Sequence, residues 1–418
     1  MNKKLLLAGL LLAAAGTGAF AQVHWWWWGR AQVTPFERSW DPVEADDNPQ
    51  PDGHLSAYIW WTRFGVDATN GERSVGFQAE VATMMEDTAD ATSSPFAYWA
   101  DWADFWSYSL WYKPARFLMV RVGKWNYWPG DAWVLEFFDR TRYSCVGIGE
   151  DEFYSGFDNM VQYSTGSVAS GTGLSPGALF EGYFGPVQVD LNFKSIDPTM
   201  KPLDYLQTLQ VGVRYEIPGT GFFRAQMIGF DPSGKIQGNF YKVDNATSQI
   251  QAAANITAVP GMEFRVGFHY YLSTSMTNWV DALLSDYNFE ADKGAISIPL
   301  GIDVTMFSPL SFRVVGDLQF GKDKRFGKDI SMFKAGGQVK YMINSYLTGI
   351  FNVIATNMGL AVNGAYYEYR KPRIDAALGV QLANFHGAAL QAGVVVQIPT
   401  AKNTQVGVAI PISFDFGW

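Results

Sequence analysis

The sequence predicts an all-β chain whose many short antiparallel strands close into a membrane-spanning barrel. Three observations carry this: apolar residues recur with period two, turn signals alternate with long polar stretches, and the composition is rich in apolar residues and poor in charge. At the C-terminus Val406, Val408, Ile410, Ile412, Phe414, Phe416 and Trp418 alternate with Gln405, Gly407, Ala409, Pro411, Ser413, Asp415 and Gly417. Period two places one apolar and one polar or small face on a single strand. The pattern returns at Ile296, Ile298, Leu300, Ile302, Val304 and Met306, and at Phe264, Val266, Phe268 and Tyr270. Strands of about ten residues with one apolar face are what a transmembrane barrel requires. Lipid leaves no backbone group unpaired, so such a sheet must close.

The N-terminus reads as a leader. Lys3 and Lys4 precede the apolar run Leu5 to Ala15, and Ala19-Phe20-Ala21 is a small-x-small cleavage site. Residues 1–21 are therefore expected to be a cleaved Sec-type signal peptide, and 22–418 the barrel. After Ala21 no apolar run is long enough for a spanning helix. The chain is 48% hydrophobic and 16% aromatic with only 17% charged residues, whereas ordinary soluble domains carry about a quarter. A single cysteine, Cys145, excludes an internal disulfide framework. The net charge of −9, more negative still without Lys3 and Lys4, argues against nucleic acid as partner.

Short proline-containing connections occur at Lys113-Pro114-Ala115, Gly185-Pro186, Ile217-Pro218-Gly219, Val259-Pro260-Gly261, Ser308-Pro309-Leu310 and Lys371-Pro372. Between them lie long polar stretches, notably 125–157 and 273–293. Short turns on one side and long loops on the other fit a barrel with two unequal rims. Candidate strands run from 22–34 to 404–417, including 358–370, with a further candidate at 159–165. The candidates are odd in number where bacterial single-chain barrels are even, so the expected total is roughly 18, within 16–20. Pro299 and Pro411 are expected to form bulges, because proline forfeits a ladder hydrogen bond.

The chain resembles bacterial outer-membrane porins of the Gram-negative type. The resemblance rests on the leader, the alternating strands and the ending Ile410-Pro411-Ile412-Ser413-Phe414-Asp415-Phe416-Gly417-Trp418, although the terminal aromatic in that family is usually Phe. Phe117 to Lys124 is also similar to a strand of substrate-selective porins. The resemblance implies the bacterial outer membrane as location, its lipid as surroundings, and recognition of the C-terminal strand by the barrel-assembly machinery. It also allows a homo-oligomer.

A barrel this wide encloses more space than its side chains fill, so passive passage of small polar solutes is the expected function. Arg265 and Arg313 fall on the polar faces of their strands, and Arg121, Arg214 and Arg224 are expected there too. These arginines, with Glu263 and Asp317, are the candidate pore-lining residues. Pairing with carboxylates such as Asp303, Asp317, Glu263 or Glu216 is favoured over a free basic zone, because buried arginines are usually paired. The 125–157 stretch carries Asp139, Glu150, Asp151 and Glu152 and is long enough to narrow a pore. Its spacing fits no calcium loop. The 273–293 stretch has Trp279, Val280, Leu283 and Leu284 at helical spacing, which predicts a short loop helix or plug.

Fourteen of the 16 tryptophans precede residue 134. Trp60, Trp61, Trp111 and Trp418 are expected at the membrane interface. A stacking track for sugar rings is the alternative, although alternation lets at most half of Trp25 to Trp28 line a lumen. No enzyme is expected. Gly173-Leu174-Ser175-Pro176-Gly177 fits a nucleophile elbow, but Pro176 in a loop supplies neither strand nor helix. His24, His54, His269 and His386 are scattered, so no metal site and no cofactor are expected. An occluded barrel acting through its loops as adhesin or receptor stays open beside the porin. So does, more remotely, a soluble carbohydrate-binding β-protein.

Overall fold

The computed structural model describes residues 22–38, 54–84, 104–124, 177–193, 209–228, 249–272, 275–276, 290–291, 294, 296–323, 328–356, 372–383, 389–400 and 405–417. Among them there is no helix, and all strands belong to one antiparallel sheet. The first five strands are β1 (Gln22–Arg38), β2 (His54–Thr69), β3 (Val75–Met84), β4 (Asp104–Ala115) and β5 (Leu118–Lys124). Next come β6 (Gly177–Phe184), β7 (Val187–Phe193), β8 (Leu209–Ile217), β9 (Gly221–Ile228), β10 (Gln249–Ile256) and β11 (Met262–Tyr271). Two short segments follow, β12 (Ser275–Met276) and β13 (Glu290–Ala291). Then come β14 (Ile296–Val304), β15 (Leu310–Asp323), β16 (Lys328–Met342), β17 (Leu347–Thr356), β18 (Arg373–Ala383) and β19 (Ala389–Pro399). The chain ends in β20 (Gly407–Ala409) and β21 (Ile412–Gly417).

Each long strand pairs with its neighbour in sequence, and β11 pairs directly with β14. At the end of the order β19 pairs with β20 and β21, which pair in turn with β1. The other edge of β1 is taken by β2.

The connections on one rim are tight. After β2, Asn70 Oδ1 accepts hydrogen bonds from the amides of Ser74 and Val75 at 2.8 and 3.1 Å, the side chain taking over a backbone role as Asn does in turns. Asn344 does the same for Tyr346 and Leu347 before β17. Gly221 opens β9 at φ 138°, and a Cβ there would lie 1.9 Å from the Asn255 carbonyl oxygen. Both the backbone angle and the close approach of β10 require glycine. Gly221→Ala is expected to destabilise the fold by about 1–3 kcal/mol, read as a lowered midpoint of denaturant unfolding in detergent.

Several expectations are corrected by register. Pro299 forms no bulge, whereas across Pro411 the register to β1 shifts by one residue, from Val33 opposite Ile412 to Glu37 opposite Ala409. Val266 pairs with Leu300 and His269 with Ser297 in unchanged register, so the β11–β14 ladder skips two residues rather than gaining one. On β19 the register is the same before and after Pro411. Proline lacks an N–H but keeps its carbonyl, which here accepts from Gly393 N at 3.2 Å. The irregularity lies opposite, in β1, whose register to β2 shifts between Thr34 and Glu37, across Pro35. The candidate strand at residues 22–34 belongs to the 17-residue β1. The candidates at 159–165 and 358–370 lie outside the described residues, and β17 and β18 on either side of the latter pair directly. Pro372 therefore does not close a tight hairpin. The ends of the 273–293 stretch pair as strands, β12 with β13; Trp279 to Leu284 lie outside the described residues.

Candidate functional site

The two faces of the sheet are inverted relative to a water-soluble β-protein. Along β17 and β18, Phe351, Val353, Ile374, Leu378, Val380 and Leu382 are exposed, while Asn352 and Asp375 between them are buried. Along β7 to β10 the buried side chains are Asp190, Asn192, Gln210, Arg224, Gln226, Gln251 and Asn255, and the exposed ones include Leu191, Val213, Phe223 and Ile250. Cross-strand register keeps these groups on one continuous face, for example Gln188 opposite Arg214 and Arg214 opposite Arg224. Buried polar groups are mostly partnered, and Asp190, Gln210, Arg224, Gln226 and Gln251 have partners on this face.

The densest network spans β6 to β10. Arg224 donates to Asp190 Oδ2 at 2.6 Å, both groups almost without exposure. Gln188 Nε2 donates to Asp190 Oδ1 at 2.8 Å and to Glu181 Oε1 at 3.0 Å, and Tyr183 donates to Glu181 at 3.1 Å. Gln226 Oε1 accepts from Gln210 at 2.8 Å and from Arg224 Nε at 3.3 Å, while its amide donates to Gln251 at 2.5 Å. A ladder of side-chain amides, Gln210 to Gln226 to Gln251, thus runs across three strands. Arg214 ion-pairs with Glu216, and its guanidinium lies 3.9 Å from the centroid of Phe222.

A second network spans β11, β14 and β15. Asp303 receives Arg265 at 2.7 Å and Arg313 at 2.7 Å, and Arg265 also reaches Glu263 at 2.7 Å. Two guanidinium groups therefore share one carboxylate, with a second carboxylate at the margin. The third region lies on β1 to β4, where Trp26 Nε1 donates to Asp67 Oδ2 at 3.1 Å.

The structure brings Arg214, Arg224, Arg265, Arg313 and Glu263 onto the polar face, each in an ion pair. Arg121 is in register with Trp111 on that face. Asp317 is paired through its backbone with Pro299 and Lys334; its side chain is not among those described. Trp60 and Trp61 fall on β2, their side chains likewise outside the description. Trp418 and the loop acids Asp139, Glu150, Asp151 and Glu152 lie outside the described residues.

Trp111 is a correction. Expected at the membrane interface, it shares the polar face with Ser109 and Arg121, and its ring fills the space above Gly76: a Cβ there would meet Trp111 Cζ2 at 2.5 Å. Strand parity decides its face, and the missing side chain of Gly76 makes room for the indole. Asp190, Gln188 and the amide ladder were not singled out from sequence, although Val187-Gln188-Val189-Asp190-Leu191-Asn192 carries them in strict alternation.

No family model matches the chain, and no curated protein does. Among solved structures the chain is similar to OprB of Pseudomonas putida, at 12% identity, with 99% of this chain and 97% of that one covered and a TM-score of 0.49. It is similar to a BenF-like porin from Pseudomonas fluorescens Pf-5, at 9% identity, 96% and 100% coverage and a TM-score of 0.49. An anion-selective porin from Comamonas acidovorans aligns at 11% identity, 95% and 100% coverage and a TM-score of 0.45.

Proposed function

We propose that this protein is a bacterial outer-membrane channel through which small polar solutes pass passively. The single observation that carries the proposal is the inversion of the faces: large apolar side chains exposed on one face, and most of the buried polar and charged side chains on the other. Exposed Leu, Val, Ile and Phe along strand after strand suit hydrocarbon, which gives them the apolar contact that water does not. Counting β20 and β21 as one strand broken at Pro411, and treating β12 and β13 as extensions of the β11–β14 connection, the proposed barrel has 18 strands. An even number puts both ends of the barrel chain on the rim with the tight turns. A closed barrel of that size is wide enough for an aqueous lumen.

Within this reading the lumen wall carries Arg121, Arg214, Arg224, Arg265, Arg313, Glu263 and Asp317. Because the cations are matched by carboxylates and flanked by amides, the wall suits polar solutes of little net charge. Asp139, Glu150, Asp151 and Glu152 belong to the loop proposed to narrow the pore, and Trp60, Trp61 and Trp418 to the interfacial girdle. Residues 1–21 are proposed to direct export, and the terminal strand to engage the assembly machinery.

Single-channel recording of the refolded protein in planar bilayers tests the proposal, with discrete, reproducible conductance steps expected. Silence from a heat-modifiable barrel would overturn it in favour of an occluded barrel acting through its surface loops. Selectivity then tests the wall. Asp303→Asn leaves Arg265 and Arg313 short of a carboxylate and is expected to move the reversal potential towards anion preference. Arg265→Gln with Arg313→Gln is expected to move it towards cations. If neither variant shifts the potential, these residues do not line the conducting path.

A further inference from the structure

The polar face of β1 to β4 carries two tryptophans that the ion-pair networks do not use. Trp26 is opposite Gly65, and Trp111 opposite Gly76, each in cross-strand register. A Cβ at Gly65 would lie 2.2 Å from Cε2 and Cζ2 of Trp26, and one at Gly76 2.5 Å from Cζ2 of Trp111. Each indole therefore occupies the place of an absent side chain and lies against the wall instead of projecting from it. Both remain partly exposed. Neighbours on β1 show the contrast: Trp25 and Trp27 are on the opposite face, exposed, with Trp25 stacked on Phe64 at 5.6 Å between centroids.

The two platforms are separated by four positions along the sheet and one strand across it, about 14 Å at strand spacing. Between them, in register with each other, are Asp67 and Gln78. Asp67 is held by Trp26 Nε1 at 3.1 Å, which orients the carboxylate and leaves it further acceptor capacity. Lys113 is exposed, with its ammonium 5.4 Å from the Trp111 centroid, where a flexible side chain can give way or donate to a ligand.

Flat aromatic surfaces alternating with carboxylate and amide groups match a ligand with apolar faces and hydroxyl-bearing edges. We propose that Trp26, Asp67, Gln78 and Trp111 form a binding track for neutral oligosaccharides on the inner wall. The proposal rests on the channel reading above. Pyranose rings stack on the indoles through their C–H faces, and their hydroxyls donate to Asp67 and exchange hydrogen bonds with Gln78. A chain of about four sugars, at roughly 5 Å per ring, places one ring on each platform across the about 14 Å of strand geometry between them.

The test is block of single-channel potassium chloride current by maltohexaose added to the bath. The wild-type channel is expected to show transient closures whose dwell time falls about three- to tenfold in Trp26→Ala and again in Trp111→Ala, the loss of one ring contact each. Trp111→Phe, which keeps a ring, is expected to retain most of the block. Heat-modifiability of each variant shows that the barrel has formed, and Gly65→Val, which displaces the Trp26 indole, provides a second route to the same loss. Current steps with no maltohexaose block in the wild type would overturn the track and leave the channel standing. Block that persists in Trp26→Ala and Trp111→Ala, or block by benzoate with none by maltohexaose, would overturn it as well. Absence of any current step would overturn the channel reading and the track with it.

Discussion

Replacing Leu378 by arginine is expected to destabilise the folded barrel in lipid vesicles by about 2–4 kcal/mol. Leu378 is 66% exposed, and in a water-soluble protein a polar substitution there would change stability by about 0.5 kcal/mol at most. It is the central residue of β18 (Arg373–Ala383), so a span centred on this strand puts it near the bilayer midplane. Its cross-strand partners Phe351 and Val394 are exposed and apolar as well, so a guanidinium finds no carboxylate beside it on that face. The cost comes from drawing a charge into hydrocarbon, and it declines for positions nearer the strand ends. Reversible unfolding in a guanidinium gradient in the presence of vesicles gives the number. A value within about 0.5 kcal/mol of the parent would show that this face meets water and that the membrane reading is wrong.

The second large effect belongs to the opposite face. Asp190→Ala is expected to cost about 3–5 kcal/mol, the loss typical of breaking a buried pair from one side. Asp190 has no exposed surface and Arg224 only 2%. Removing the carboxylate takes from the guanidinium its 2.6 Å ion-pair partner, while the hydrogen bonds to Gln226 stay. It also deprives Gln188 of one of its two acceptors. Removing both charges, as in Asp190→Leu with Arg224→Met, is expected to recover much of the loss, because the desolvation of two ions disappears together with their attraction. The same vesicle-unfolding measurement on the two single variants and the double variant completes the cycle. Additive losses, with no recovery in the double variant, would show that the two groups do not act as a pair.

Much of the architecture was legible in the chain. Period two in Ile296 to Met306 and Val406 to Trp418 marked strands and divided their residues between two faces, since side chains alternate by covalent geometry alone. The turn residues after β6, β8, β10 and β14 were visible as Gly185-Pro186, Pro218-Gly219, Pro260-Gly261 and Pro309. Which arginines meet which carboxylates was legible only in part. Glu263 and Arg265 are two apart on one strand and so share a face by parity. The partners Arg224 and Asp190 belong to strands that are not adjacent, and no local pattern announces such a contact. Pro411 illustrates the same boundary: the missing N–H was readable, whereas its effect depended on what β1 and β19 place alongside it.

The sequence by itself determined that this chain makes amphipathic strands joined by turns, with its charge concentrated on one strand face. Those properties follow from backbone geometry and side-chain chemistry within a few residues. The tertiary structure decided the register that joins Asp303 to two arginines, the return of the final strands to β1, and the placement of Trp26 and Trp111 over glycines on the polar face. Each of these depends on what a neighbouring strand, distant in sequence, presents at the same height. An indole, apolar over its faces and polar at its N–H, is suited to either surface, so the space left by a glycine across the ladder settles where it goes.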